Sequence, residues 1–172
     1  MKKIIIIGGS KGIGKAITES LLKEHEVINI SRTEPDFQHA NLTHYNCDVL
    51  LDELPEIETA DSLIYCPGSI NLKPFNRLKL DDFRTDFEIN VIGAVKSIQA
   101  YTKALSQSES ASIVLFSTVA TKLGMPFHAS VATAKSAVEG PTKSVAADLA
   151  PTIRVNAIAP TITDTELAAK FL

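Results

Sequence analysis

The stretch that decides the fold is KKIIIIGGSKGIGKAI, residues 2–17. Its run of isoleucines, Ile4–Ile7, has the apolar character of a strand that is buried on both faces. Glycines follow in a GxxxGxG spacing at Gly8, Gly12 and Gly14, and apolar residues then recur at helical spacing. A strand, a glycine turn and a helix in this order predict a phosphate-binding loop, because free N–H groups and the helix dipole at a helix start favour an anion.

The rest of the chain alternates short apolar runs with helical patterns. Predicted strands lie at 2–9, 26–31, 43–49, 61–68, 110–117 and 152–160, and predicted helices lie at 12–23 and 130–149, with one or two further helices over 80–106. Strands that alternate with helices, without tandem hairpins, require right-handed crossovers and a parallel sheet covered by helices on both faces. The sequence therefore predicts an α/β fold with a single doubly wound parallel sheet (Rossmann fold), in one domain over residues 1–172. Pro141 should kink the last predicted helix, because proline removes one hydrogen bond.

Composition limits the classes of function. The chain has 172 residues, of which 45% are hydrophobic, and this suits one domain with a sizeable core. A net charge of −3 gives no reason to expect nucleic acid or a membrane surface as partner, and the run Ile4–Ile7 is too short for a membrane span or a signal peptide. Cys47 and Cys66 do not form a CxxC motif, and no His/Cys cluster has metal-ligand spacing, so we expect no metal site and a reducing cytoplasmic location.

The end of the second predicted strand indicates which dinucleotide would bind. In a doubly wound fold this point faces the adenosine ribose, and an acidic residue there favours a free 2′-hydroxyl. The sequence reads Asn29-Ile30-Ser31-Arg32 and has no acidic residue. Arg32 and Lys11 could instead pair with a 2′-phosphate through charge-assisted hydrogen bonds, or simply be solvated surface charges. The pattern favours NADP(H), with NAD(H) as the alternative.

Taken in this order, the motifs resemble the short-chain dehydrogenase/reductase family from Lys2 to about Thr165. GGSKGIG is similar to the family's nucleotide loop, Asp48 stands where the family places an aspartate against the adenine, and Gly68 is the glycine kept from its Asn-Asn-Ala-Gly motif. The resemblance implies a cofactor-binding set made of Gly8, Ser10, Lys11, Gly12, Ile13, Gly14, Arg32, Asp48, Gly68, Lys135, Pro160 and Thr165.

The resemblance also implies catalytic roles for Asn90, Thr118 and Lys135. Family members transfer a hydride between a nicotinamide cofactor and a small carbonyl or alcohol, and a tyrosine in a Tyr-x-x-x-Lys helix exchanges the proton. Lys135 matches that lysine, Thr118 takes the place of the family's serine, and Asn90 matches an asparagine that holds a water in the proton relay. The tyrosine position is Val131, which cannot exchange a proton.

This substitution leaves two functions open. The first is an NADP-dependent oxidoreductase in which another group supplies the proton, and His128, about one helical turn before Val131, and Tyr65, at a strand end, are the candidates. The second is an NADP-binding protein of the same fold with little or no turnover, which acts as a sensor or a partner subunit. The resemblance further implies a homodimer or homotetramer. Family members usually continue with a further helix and a final strand, so we expect the sheet to lack them or to be completed outside this sequence.

Overall fold

The computed structural model describes residues 1–169, and the last residues of the predicted domain, 170–172, lie outside the described residues. Among residues 1–169 there are six strands: β1 (Lys3–Ile7), β2 (Glu26–Ser31), β3 (Leu42–Asn46), β4 (Ser62–Tyr65), β5 (Ala111–Phe116) and β6 (Ile153–Ile158). They form one sheet in the order β3-β2-β1-β4-β5-β6, and every pairing is parallel. The predicted doubly wound parallel sheet is therefore confirmed.

Except for one short helix, the helices follow the predicted positions with shifted boundaries. They are α1 (Gly12–Leu21), α2 (Leu80–Phe87), α3 (Gly93–Leu105), α4 (Ala120–Leu123) and α5 (Ala129–Leu149). A π-helical turn over Glu88–Ile92 joins α2 to α3, so the predicted segment 80–106 holds two helices. Helix α5 continues through Pro141, and the kink expected there stays a prediction. The short helix α4 has no counterpart in the predicted elements.

The core lies on both faces of the sheet, as the isoleucine run of β1 predicts. Ile5 and Ile7 face a large cluster that includes residues of α3 and α5. Ile4 and Ile6 face the opposite side, where Leu22 at the end of α1 packs with them. Successive side chains of a strand point to opposite faces, and a strand in the middle of such a sheet therefore needs apolar residues at every position.

The crossover from β3 to β4 places the functional region. Residues 47–61 contain no helix, and they bring the chain from the edge strand β3 back to the centre, where β4 pairs with β1. The strand order therefore reverses between β1 and β4, and the loops after these two strands part to leave a crevice at the carboxyl edge of the sheet. Ligands of open α/β sheets bind in such a crevice.

Candidate active site

The turn after β1 is built as the sequence predicts. Gly8 and Gly12 have φ angles of +78° and +53°, a left-handed region that glycine adopts at little cost. Gly14 is needed for another reason, because a Cβ atom built there would lie 2.1 Å from the Gly8 carbonyl oxygen. The close approach of α1 to the end of β1 thus depends on the missing side chain at residue 14.

The backbone of this turn fits a phosphate-bearing cofactor. No side chain among residues 1–169 caps the first turn of α1, so its leading N–H groups remain available to an anion. Lys11 stands at the N-cap position, and its side chain is largely exposed. These donors, the helix dipole and a nearby cation are the features that hold a phosphate at a helix start.

Replacing Gly14 with alanine should lower the free energy of unfolding by about 1–3 kcal/mol, because the added Cβ overpacks the turn against the Gly8 carbonyl. Urea unfolding followed by circular dichroism measures the change. Ser20→Ala, at an exposed position of the same helix, is the matched control and should stay within about 0.5 kcal/mol. Equal stability of the Gly14→Ala variant and the wild type would contradict the close approach of α1 and β1.

Two cavities open on the two sides of the crevice. The smaller one, of about 210 Å³, lies toward the ends of β2 and β3, and the larger one, of about 820 Å³, lies toward β5, α5 and the segment after β6. Gly8, Lys11, Pro67 and Gly68 line both. An extended two-part ligand that passes over the glycine turn would therefore place one end in each cavity.

The residues that were predicted to hold the adenosine end of a dinucleotide line the smaller cavity. Arg32 and Asp48 lie in its wall, with 3.7 Å between Arg32 Nη1 and Asp48 Oδ2, and the Arg32 side chain is 79% exposed. Lys11 Nζ lies 3.6 Å from Glu166 Oε2, so this cation is shared with the segment after β6. Exposed pairs of this kind are weak and can exchange partners. Both cations are therefore accessible to a phosphate group.

A polar network behind this wall was not foreseen from the motifs. Ser10 Oγ lies 2.6 Å from Ser31 Oγ, and both hydroxyls are in reach of the Thr33 carbonyl oxygen. The fully buried Asn29 donates from Nδ2 to Ser10 Oγ and accepts from the Gly9 N–H through Oδ1. The network fixes the glycine turn against the end of β2. A polar residue between the apolar Ile28 and Ile30 of β2, as at Asn29, was the available signal.

In the larger cavity, Lys135 lies at the predicted position on α5. Its Nζ donates to the Phe116 carbonyl oxygen at 2.8 Å, at the end of β5. Burial lowers the pKa of Lys135 to about 8, against a smaller opposing effect of Cys66. Burial likewise raises the pKa of the neighbouring Cys66 thiol to about 12, so this thiol stays neutral. Lys135 is thus a half-buried amine in the wall of the cavity.

Asn90 lies directly behind Gly68, next to Lys135. A Cβ atom built on Gly68 would be 3.4 Å from both Asn90 Oδ1 and Lys135 Nζ, so these two atoms converge on one point. Asn90 Nδ2 donates to the Asp86 carbonyl oxygen at 2.7 Å and to Ser69 Oγ at 3.1 Å. Its Oδ1 is buried without a hydrogen-bond partner in the described chain. A buried acceptor of this kind fits a bound water or ligand hydroxyl.

The π-helical turn at Glu88–Ile92 carries Asn90 into this position. Asp86, one turn earlier, is 1% exposed and accepts a hydrogen bond from Ser69 Oγ at 2.5 Å. Tyr65, which the sequence offered as a proton donor, is also turned inward, since its hydroxyl donates to the Ile89 carbonyl oxygen at 2.6 Å. Burial raises the pKa of Tyr65 further above its usual value. Tyr65 therefore supports the turn and does not face the larger cavity.

Thr118 lies in the wall of the larger cavity at the end of β5. Its Oγ1 is 3.4 Å from the Pro160 carbonyl oxygen, and the Ala120 N–H donates to it at 3.3 Å. Glu139, which no motif singled out, holds this segment to α5 by accepting hydrogen bonds from Ser117, Thr121 and Lys122 at 2.9–3.0 Å. These hydrogen bonds lower the pKa of Glu139 to about 2, and the bond from Lys122 has the largest effect. The Thr118 hydroxyl is thereby positioned relative to Lys135.

Val131 and His128 complete the α5 wall of this cavity. Val131 is 7% exposed and lies one turn before Lys135. Pro160 and Thr165 also line this cavity, and the Thr165 side chain lies next to Gly12. The structure thus places the predicted residues from Gly8 to Thr165 around one crevice, although Asn90 stands behind its wall.

Other classes of site are not visible in the described part of the chain. No group of three His, Cys, Asp or Glu side chains within residues 1–169 is arranged to hold a metal ion. No helix in the same range is long and apolar enough to cross a bilayer.

The fold and the position of the crevice together define an α/β protein of the Rossmann class. The family model for short chain dehydrogenase matches residues 2–172. The chain therefore belongs to the short-chain dehydrogenase family, whose members are oxidoreductases.

Similar proteins agree with this family. The 2,5-dichloro-2,5-cyclohexadiene-1,4-diol dehydrogenase of Sphingobium indicum is 29% identical over 92% of this chain and 71% of its own length. The cyclopentanol dehydrogenase of Comamonas sp. is 26% identical over 99% of this chain and 76% of its own.

Solved structures extend the similarity to three dimensions. A short chain dehydrogenase family protein from Francisella tularensis has a TM-score of 0.87 at 27% identity, covering 99% of this chain and 74% of its own. ElxO with NADP bound has a TM-score of 0.85 at 27% identity, covering 99% of this chain and 77% of its own.

Proposed function

We propose that this chain binds NADP(H) across the crevice and interconverts a small carbonyl compound and its alcohol. The observation that carries the proposal is the open N-terminus of α1 above the glycine turn, with Lys11 and Arg32 beside it on the adenosine side. NAD(H) lacks the 2′-phosphate, so it would leave Arg32 without a phosphate to bind. The NADP bound to ElxO, a neighbour of the same fold, supports this preference.

The residues around the two cavities would bind different parts of the cofactor. The turn residues Gly8, Ser10, Lys11, Gly12, Ile13 and Gly14 would hold the pyrophosphate, and Arg32 and Asp48 the adenosine end. Gly68, Lys135, Pro160 and Thr165 would surround the nicotinamide end. The bound cofactor supplies or accepts a hydride at that end. Asn90 Oδ1 would hold a water beside Lys135, since both atoms converge at Gly68.

The larger cavity indicates the substrate class. Its wall includes the apolar side chains Leu72, Val119, Met125, Val131 and Ile162, so it favours a compact apolar substrate. Thr118 would orient the substrate oxygen through its hydroxyl, which can both donate and accept. The named activity of the Comamonas relative on cyclopentanol agrees with a small cyclic alcohol or ketone.

A second candidate function is binding of NADP(H) without turnover, and it rests on Val131 alone. A valine in the cavity wall cannot give a proton to the reduced oxygen. The named dehydrogenases among the relatives do not favour this alternative.

The expected location in a reducing cytoplasm and the expected homodimer or homotetramer stay predictions. Exposed apolar side chains at Leu80, Phe87 and Ile92 are consistent with a further protein surface packing there.

Titration of NADPH and NADH by cofactor fluorescence tests the proposal directly, followed by NADPH oxidation with a panel of cyclic, aliphatic and aromatic ketones. We expect NADPH to bind more tightly than NADH and to be oxidised by at least one ketone. Binding without oxidation would support the second candidate. Binding of neither nucleotide would overturn both.

Arg32→Ala should weaken NADPH binding about tenfold or more and leave NADH binding almost unchanged, because charge-assisted hydrogen bonds to a phosphate are worth about 1.5–3 kcal/mol. The two dissociation constants are measured by fluorescence titration. Arg154→Ala, at an exposed position of β6 that lines neither cavity, is the matched control. Equal weakening of NADPH and NADH would contradict a role for Arg32 at the 2′-phosphate.

A further inference from the structure

Two side chains that line the larger cavity, Glu166 and His128, can exchange a proton and have no task in the proposed function, and the Glu166 carboxylate is largely exposed and paired with Lys11. Val131 offers none, the Cys66 thiol stays neutral, and Lys135 is directed to the Phe116 carbonyl at the end of β5. His128 remains in the wall. It precedes Val131 by three residues and Lys135 by seven, so all three occupy one face of the α5 start.

The imidazole ring of His128 is held in one orientation. Its Nδ1 lies 2.6 Å from the Pro126 carbonyl oxygen. A carbonyl oxygen only accepts, so Nδ1 carries a hydrogen and donates it. The second nitrogen, Nε2, is then the position at which a proton is gained or lost. A ring that is held through one nitrogen, with a second nitrogen that can donate or accept a proton, is the arrangement of a general acid or base.

The backbone before His128 is strained in a way that serves this placement. Phe127 has φ = +66°, in the left-handed region that bulky side chains avoid. Neighbouring hydrogen bonds hold the turn, because Lys73 N–H donates to the Phe127 carbonyl and Ala132 N–H donates to the His128 carbonyl. Strain of about 1–3 kcal/mol persists only where the surroundings impose it, and it concentrates at functional sites. Here it sets the direction in which the chain enters α5, with His128 at the N-cap of the helix and in the cavity wall.

We propose that His128 is the proton donor and acceptor of this site, in place of a phenol at residue 131. The assignment rests on the proposed function. When a carbonyl carbon is reduced by the hydride of the reduced nicotinamide, its oxygen must gain one proton. The Nε2–H bond of the His128 imidazolium breaks, the new O–H bond of the alcohol forms, and the neutral ring takes a proton from solvent, which reaches the half-buried side chain. In alcohol oxidation the same proton moves in reverse.

Two variants test the assignment, His128→Ala and His128→Gln, with thermal unfolding measured on both to confirm folding. NADPH binding should stay within about twofold of wild type, while kcat for NADPH oxidation with the responsive ketone falls by about 10²-fold. Added imidazole should restore part of the rate in the His128→Ala variant and none in the wild type. A residue that only stabilised the turn would not respond to imidazole. His39→Ala, at an exposed histidine that lines neither cavity, is the matched control.

The remaining outcomes separate this assignment from the proposed function. A His128→Ala variant that oxidises NADPH at the wild-type rate overturns the role of His128 and leaves the proposed function intact. Wild-type protein that binds NADPH but oxidises it with no ketone also overturns the role of His128. Failure to bind either nucleotide overturns the proposed function and the assignment that rests on it.

Discussion

Replacing Val131 with tyrosine is expected to raise kcat for NADPH oxidation about 10²-fold, the low end of the usual range for a general acid, because His128 already supplies part of this effect. Val131 lies in the cavity wall one turn before Lys135, so a phenol there would project into the same space as the lysine amine. A nearby cation favours the ionised form of a phenol and so lowers its pKa toward the working pH. The gain is measured as the ratio of kcat values under saturating NADPH.

The control for this prediction is Val131→Phe, which adds the ring without the hydroxyl. It should give no gain, and a gain would mean that bulk alone improves the cavity. The double variant Val131→Tyr with His128→Ala should keep most of the new activity, because the phenol supplies the proton without the imidazole. If Val131→Tyr binds NADPH but gains nothing, proton supply is not what limits this site.

Replacing Lys135 with methionine should stabilise the cofactor-free protein and weaken NADPH binding at the same time. Burial lowers the pKa of Lys135 to about 8 from an ordinary value of 10.5, so keeping the charged form in the folded state costs up to about 3 kcal/mol at neutral pH. Water in the open cavity reduces this cost, and about 3 kcal/mol is therefore an upper limit. Methionine keeps the length of the side chain and removes the charge. NADPH affinity should fall more than tenfold, because the variant lacks the amine that the proposed function places at the nicotinamide end of the cofactor.

The pH dependence has a definite sign. Between pH 8 and 10.5 the unfolded chain holds a proton on Lys135 that the folded chain has released, so the stability of the wild type rises with pH in this window relative to the variant. The advantage of Lys135→Met is therefore complete below pH 8 and is lost as the pH approaches 10.5.

Urea unfolding at pH 7 and pH 10 measures this difference. Lys143→Met, at an exposed position of the same helix, is the matched control and should show no such dependence on pH. A Lys135→Met variant that is less stable than the wild type at pH 7, with unchanged NADPH affinity, would contradict both parts of the prediction.

The sequence predicts about half of the residues that form the site to which both predictions apply. The glycine turn and the residues Arg32, Asp48, Thr118 and Lys135 could be named in advance, because motif spacing carries them. The roles of the buried Asn29 behind the turn and of Glu139 on α5 could not be named in advance. Their hydrogen-bond partners lie about 20 residues away in sequence and meet them only through packing. Helix α4 was missed because four residues are too few to show a helical period.

The sequence by itself determined the parallel sheet, the strand buried on both faces at Ile4–Ile7 and the glycine turn that follows it. These features depend on local periodicity and on backbone sterics, which neighbouring residues are sufficient to specify. Only the tertiary structure decided that Asn90 and Lys135 converge at Gly68 and that the His128 ring is held by the Pro126 carbonyl. The convergence joins residues far apart in sequence and depends on how helices are rotated and seated on the sheet, while the ring orientation depends on a backbone turn that residue types alone do not specify.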